Sequence, residues 1–252
     1  MIRNLFVIAC ASLVLAALCL GGAAMLGGPH FFRHLHDNWR VRLHDGEPIR
    51  HIEIDDGGAG GAAVTRDLAW GGGDALDVDV PADVQYTQAP GPAKLTISGP
   101  KDLVDRVELA GGRLQYNDET WADGGKLTVV MSAPDVRHFS IAGDASLAIA
   151  AYDQDDLDVD VSGHGDVTAK GKARATRIDI SGDGDVNLGA LAVDRAEADI
   201  SGSGRAEIAP ASAADLHISG SGEVDLLTHP GKLNSDVSGS GRVVEGDEAK
   251  PG

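Results

Sequence analysis

Asp179-Ile-Ser-Gly-Asp-Gly-Asp-Val186 is the stretch whose reading decides the fold. Its core returns as Asp160-Val-Ser-Gly-His-Gly165, Asp199-Ile-Ser-Gly-Ser-Gly204, His217-Ile-Ser-Gly-Ser-Gly222 and Asp236-Val-Ser-Gly-Ser-Gly241. The serines are Ser162, Ser181, Ser201, Ser219 and Ser238, spaced 19, 20, 18 and 19 residues apart. A degenerate copy, Phe139 to Leu147, sets Ala142 in the serine's place. Recurrence at one such period is the mark of stacked rungs, each burying its apolar face against the next.

Within a repeat, apolar and polar residues alternate. Ile178 and Ile180 flank Asp179, and Leu216 and Ile218 flank His217. A period of two makes a strand with one buried face. After the Gly-x-Gly the alternation resumes at Val186 and Leu188. Two short strands joined by a glycine corner fill a rung, and residues such as Gly189 to Arg195 close the loop to the next. No apolar stripe of helical spacing runs through the repeat, and its glycines would break a helix. The predicted fold is all-β: a single-stranded parallel β-helix with rungs of about 19 residues. Its hand is taken as right, the preference of parallel crossovers.

The glycines predict two stacked columns. One holds Gly163, Gly182, Gly202, Gly220 and Gly239; the other holds Gly165, Gly184, Gly204, Gly222 and Gly241. A tight corner commonly needs positive φ or a bulge, so an alanine there is expected to cost about 1 kcal/mol or more. The residue after the second glycine runs Asp166, Asp185, Arg205, Glu223, Arg242. The last four alternate in sign, which favours correct register more than bulk stability.

Composition narrows the function. Aromatics are only 4% of the 252 residues, too few for a thick globular core but suited to a narrow β-helix interior filled by Val, Ile, Leu and Ala. A formal charge of −18 excludes a nucleic-acid binder, which needs clustered Lys and Arg. The only cysteines, Cys10 and Cys19, lie in the N-terminal apolar segment, so the rest of the chain has no disulfide or thiolate metal site.

Residues 1–28 read as an export or anchor segment, with Arg3 before an apolar run from Leu5 to Leu26. That length fits an uncleaved signal-anchor, a transmembrane helix; a signal peptide cleaved near Gly22-Ala-Ala24 is the alternative. Residues 29–63 form a juxtamembrane segment and a Gly-rich linker. Phe31, Leu35 and Trp39 share a helical face, with Arg33, Arg40 and Arg42 placed to meet lipid headgroups. His30, His34, His36 and His44 also lie here, but a metal site needs a fixed supporting shell that such a stretch does not offer. Residues 64–245 are the β-helix domain. Its first half reads as less regular rungs, with Trp70, Tyr86, Tyr116 and Trp121 capping the open core end. Residues 246–252 are a polar tail, expected to be disordered.

The run Leu76-Asp-Val-Asp-Val-Pro81, then Leu95-Thr-Ile-Ser-Gly99, Gly112-Arg-Leu-Gln-Tyr116, Lys126 to Pro134 and the five Ser-Gly-x-Gly rungs resembles the auto-transporter adhesin head GIN domain family, a domain of unknown function. The resemblance spans roughly Val64 to Val244. It implies a bacterial cell-envelope protein with a right-handed β-helix and no established catalytic residues. The tail after the last rung is too short for a translocating barrel, so the expectation is a periplasmic domain on an inner-membrane anchor, or a secreted one if the segment is cleaved.

Chemistry was sought in the outward files. Asp160, Asp179 and Asp199 precede their serines by two residues, and carboxylates stacked about 4.8 Å apart repel unless a cation bridges them. They are the candidate Ca²⁺ ligands, weighed against a solvated face; no other cofactor is indicated. Carbohydrate-acting β-helix enzymes gather carboxylates with cations in a cleft, whereas here they are spread along columns. Ser-Gly-x-Gly lacks a recurring His partner and is no nucleophile elbow. The expected function is a non-enzymatic module that binds an envelope protein or glycan. A scaffold for envelope assembly is the alternative, with a polysaccharide-acting enzyme behind it.

Overall fold

The computed structural model describes residues 63–71, 73–117 and 125–246. The expected anchor helix, the histidine-rich segment, the linker up to residue 62, Trp121 and the tail beyond residue 246 lie outside the described residues. Among the described residues no helix is long and apolar enough to cross a membrane.

The repeats build long strands, β9 (Ser146–Gly163), β10 (Asp166–Gly182) and β11 (Asp185–Gly202). Shorter ones follow: β12 (Arg205–Ile208), β13 (Pro210–Gly220), β14 (Glu223–Leu226), β15 (Lys232–Gly239) and β16 (Arg242–Glu245). All pair in parallel along a β-solenoid of about five turns. Ser162, Ser181, Ser201, Ser219 and Ser238 pair each with the next in one file, and Ala142 pairs with Ser162 below them. The expected period is therefore the physical lap of the coil.

One expectation is corrected. The segment from Gly189 to Arg195 is not a loop: Lys170, Gly171, Lys172 and Ala173 pair with Ala190, Leu191, Ala192 and Val193, so the lap closes with a third paired side. The side carrying the serines keeps unbroken register from Ala175 to Gly182 against both neighbours. Breaks fall near Thr168 to Gly171, between Asn187 and Arg195, and between Ile208 and Ala213. The uneven spacing is absorbed there, where no side chain has to stay in the serine file.

The interior is stacked aliphatics. Val161, Ile180, Ile200 and Ile218 form one file, and Val159, Ile178, Ala198 and Leu216 its neighbour, all within 2% of full burial. Burying such a side chain contributes about 1.5–3 kcal/mol relative to exposure. Thr176, in the next file with Leu157, Ala196 and Ala214, is the one buried polar residue among those described, and its hydroxyl donates to the Leu157 carbonyl at 3.0 Å.

The two glycine columns exist for different reasons. The first glycine of each corner has positive φ, as at Gly202 (φ 129°), where a Cβ would also lie 2.4 Å from the Gly182 carbonyl oxygen. The second has ordinary φ. At Gly204 a Cβ would meet Ile180 Cγ2 at 2.5 Å and the Gly184 oxygen at 2.8 Å. The missing side chain makes room for the isoleucine file, so sterics of stacking, not backbone conformation, select it.

The N-terminal half departs from simple rungs. β2 (Ala75–Val78), β3 (Ala82–Gln88), β7 (Leu127–Ala133) and β8 (His138–Gly143) join the parallel stack. β4 (Lys94–Pro100) instead adds antiparallel to the edge at β7, and β1 (Ala63–Leu68) antiparallel to β4. β5 (Val107–Ala110) and β6 (Arg113–Tyr116) make an antiparallel hairpin, with β6 on β2. The short helix α1 (Lys101–Val104) buries Leu103 and Val104. Arg66 donates to the Val104 carbonyl at 3.0 Å and also to that of Val107, tying the helix and the start of β5 to β1. Of the expected capping aromatics, Tyr86 is fully buried, while Trp70 and Tyr116 pack partly buried against the core.

Candidate functional site

The outward side chains of the serine-bearing sheet form three parallel files. The hydroxyl file is the serines. Beside it runs Ser140, Asp160, Asp179, Asp199, His217 and Asp236; outside that runs His138, Asp158, Arg177, Glu197, Asp215 and Asn234. The first two files line an open groove of about 520 Å³ that reaches from Ser140 to Ser238. Strand alternation puts every second residue outward, and the lap length repeats that choice on each rung, so the groove follows directly from the repeat.

Its electrostatics are set by few cations. Arg177 reaches Asp179 at 3.0 Å, Glu197 at 2.6 Å and Asp199 at 3.2 Å, bridging two rungs. His138 Nδ1 lies 2.8 Å from Asp158, and His217 Nδ1 lies 3.6 Å from Asp199. The Asp160 carboxyl is pushed above its ordinary range, first by burial and then by the charges of Asp179 and Asp158, against the pull of His138 and Arg177. The folded state thus disfavours ionised Asp160. That penalty is fully present above the raised folded pKa and disappears below the unfolded value. Asp160→Asn is expected to melt higher than wild type at pH 7, with the gap closing as pH falls through the carboxylate range. A thermal melt at pH 7 that places the variant below wild type contradicts this.

The expected calcium ligands Asp160, Asp179 and Asp199 do stand in one file. Arg177 occupies the position where a bridging cation would act, and among the described residues no group of three or more His, Cys, Asp and Glu side chains is placed to hold a metal ion. The sequence singles out the carboxylates Asp160, Asp179 and Asp199. It does not show that Arg177 leans across into the neighbouring file, or that Ser140 extends the groove one rung further. Sliding the period back over Phe139 to Leu147 finds Ser140.

Just past the glycine corner that follows the serines, the charges stand in register: Asp166, Asp185, Arg205, Glu223, Arg242. Arg205 and Arg242 reach Glu223 at 2.7 and 2.6 Å. The Arg205 hydrogen bond, opposed by partial burial and helped by Arg242, holds the Glu223 carboxyl below its ordinary range. At the preceding corner His164 sits 3.9 Å from Asp144 and 3.5 Å from Asp183, bridging three rungs in the same manner.

Comparisons agree with this architecture. A putative adhesin from Bacteroides fragilis has a similar structure, with 19% identity over 73% of this chain and 97% of its own, at a TM-score of 0.62. A putative adhesin from Parabacteroides distasonis (16% identity, 74% and 98% covered, TM-score 0.48) and a putative lipid binding protein from the same species (17%, 75% and 98%, 0.46) are more distant. No curated protein matches the chain. The sequence profile described as putative auto-transporter adhesin, head GIN domain, matches residues 74–230, and its description is that of bacterial surface or envelope proteins. With more than half its length matched, and with the fold above, the chain belongs to the auto-transporter adhesin head GIN domain family.

Proposed function

We propose that the serine and aspartate files form the recognition face of a non-enzymatic, adhesin-like module that binds an extended protein or glycan at the bacterial envelope. The observation that carries this is the groove itself. It is long, open, floored by β-sheet and lined by hydroxyls and carboxylates repeated at the rung spacing. Such a surface suits a polymer with its own repeat, because each rung offers the same acceptors and donors at about 4.8 Å intervals. Catalysis is disfavoured by the side-chain geometry. Among the described residues no hydrogen bond joins a serine of the file to His138 or His217, and acid and base groups are not gathered at one point. The apolar run from Leu5 to Leu26 supports a membrane anchor holding the domain on the periplasmic side, and intact-mass measurement of the mature protein decides between anchor and cleaved signal.

The test is binding of the full-length protein to a panel of envelope glycans and purified envelope proteins. Ser181→Arg and Ser201→Arg fill the groove with exposed side chains that the fold tolerates. Both are expected to abolish binding with melting temperatures unchanged, while Asn187→Arg, on another side of the lap, retains it. Equal binding by all three variants rejects the groove as the site.

A further inference from the structure

Among the described residues, the apolar files run uncovered into the last rung. Ala214, Leu216, Ile218, Val224 and Leu226 are buried; directly above them the same files hold Leu233, Ser235, Val237, Val243 and Glu245. Val237 is 39% exposed, against 2% for Ile218 below it. Among the described residues, β15 and β16 each pair on one side only, with β13 and β14 respectively. Arg242 and Gly246 turn their amides back to Gly222 and Leu226 at 3.0 and 2.7 Å. Strand alternation then aims the amides and carbonyls of Val243 and Glu245 away from the stack, and the same parity holds for Ser235 and Val237 on β15. An unpaired edge with exposed apolar residues is a template for strand addition.

The inward files say what fits. An added strand must set apolar side chains against Val237 and Val243, and polar ones against Ser235 and Glu245. A second copy of this chain meets that pattern. A two-fold axis through the corner at Gly239 to Gly241 lays β15 antiparallel to the partner's β16. Val237 then faces the partner's Val243, and Ser235 faces the partner's Glu245, each pair occurring twice. Inward residues stay opposite inward residues, as an antiparallel ladder of hydrogen-bonded pairs requires. On the outer face Asp236 lies diagonal to the partner's Arg242, an attractive pair.

We propose that this end is a homodimer interface in which two solenoids join head to head, β15 of each pairing with β16 of the other. The interface is isologous and closes on itself, so it yields dimers and not fibres. The two grooves become arms of one longer assembly.

The test is sedimentation of the full chain in detergent, with two arms. Wild type is expected to carry the dimer mass, Val237→Asp the monomer mass, and Val130→Asp, at an exposed valine far from this end, the dimer mass. In the second arm, Val237→Cys and Val243→Cys are made separately in a background lacking Cys10 and Cys19, then mixed under mild oxidation. Directly opposed residues in such a ladder lie about 5.5 Å apart, within disulfide reach. A covalent dimer is expected from the mixture and from neither variant alone. A monomeric wild type, a Val237→Asp variant of unchanged mass, or a mixture that does not cross-link overturns the proposal.

Discussion

Gly202→Ala is expected to lower the melting temperature by roughly 6–12 °C, the equivalent of about 3 kcal/mol in a domain of this size. Two terms combine. The φ of 129° is strained for any residue with a Cβ, at about 1–3 kcal/mol. The new Cβ would also stand 2.4 Å from the Gly182 carbonyl oxygen, and a backbone atom held in a ladder on both sides cannot step aside cheaply. The sequence alone supports only the first term, so the expected loss exceeds what the corner argument gave. Gly204→Ala should also destabilise, though its φ is unremarkable, because it drives into Ile180 and the Gly184 carbonyl. Gly231→Ala is the control: its φ is not positive, and its nearest neighbour, the Ser212 oxygen, is 3.5 Å from the new Cβ. Thermal melts of the three variants separate the mechanisms. If Gly202→Ala melts with Gly231→Ala, the stacked-corner account is wrong.

Phe139→Ala is expected to cost about 3–5 kcal/mol, the usual range for emptying a buried aromatic site. Phe139 is fully buried where the irregular N-terminal rungs meet the regular solenoid. It stacks between Leu76 and Val159 in its file and meets the Tyr86 ring edge-on, with centroids 5.0 Å apart and an interplanar angle of 65°. Tyr86 is pinned from the other side by donating to the Ala133 carbonyl at 3.0 Å, and burial pushes its phenol up to about 12, so it remains a donor across the physiological range. Neither neighbour can collapse into the vacated space. Denaturant unfolding should show the loss, and Phe139→Leu, which refills most of the volume, should recover much of it. A loss below about 1 kcal/mol for the alanine variant would mean that this junction is loosely packed.

The regular half of the fold was legible because its signal is repeated. Ser181, Ser201 and Ser219 stand in the file that their spacing implied, and the outward aspartates follow from strand alternation alone. What escaped reading has no period. β4 runs antiparallel to β7 and β1 antiparallel to β4, and nothing in Val64 to Leu68 or Lys94 to Ile97 distinguishes that from one more rung. The closing side around Gly189 to Arg195 looked like a loop because Gly189 and the alanines beside it are weak strand formers; ladder hydrogen bonds to the rungs on either side override that preference. At the groove, the carboxylate file was visible but the reach of Arg177 was not, since a long side chain's direction depends on which neighbours it finds across the sheet.

Because the register breaks are confined to the side of the lap away from the serines, the solenoid tolerates uneven rungs without disturbing the face that carries them. Whole laps are in that sense interchangeable parts. Duplicating or excising a unit such as residues 185–204 should lengthen or shorten the molecule by one step of about 4.8 Å while leaving each remaining lap as it was. On the proposed reading of the groove, a change in the number of laps would alter how many contacts a bound polymer makes without altering their chemistry.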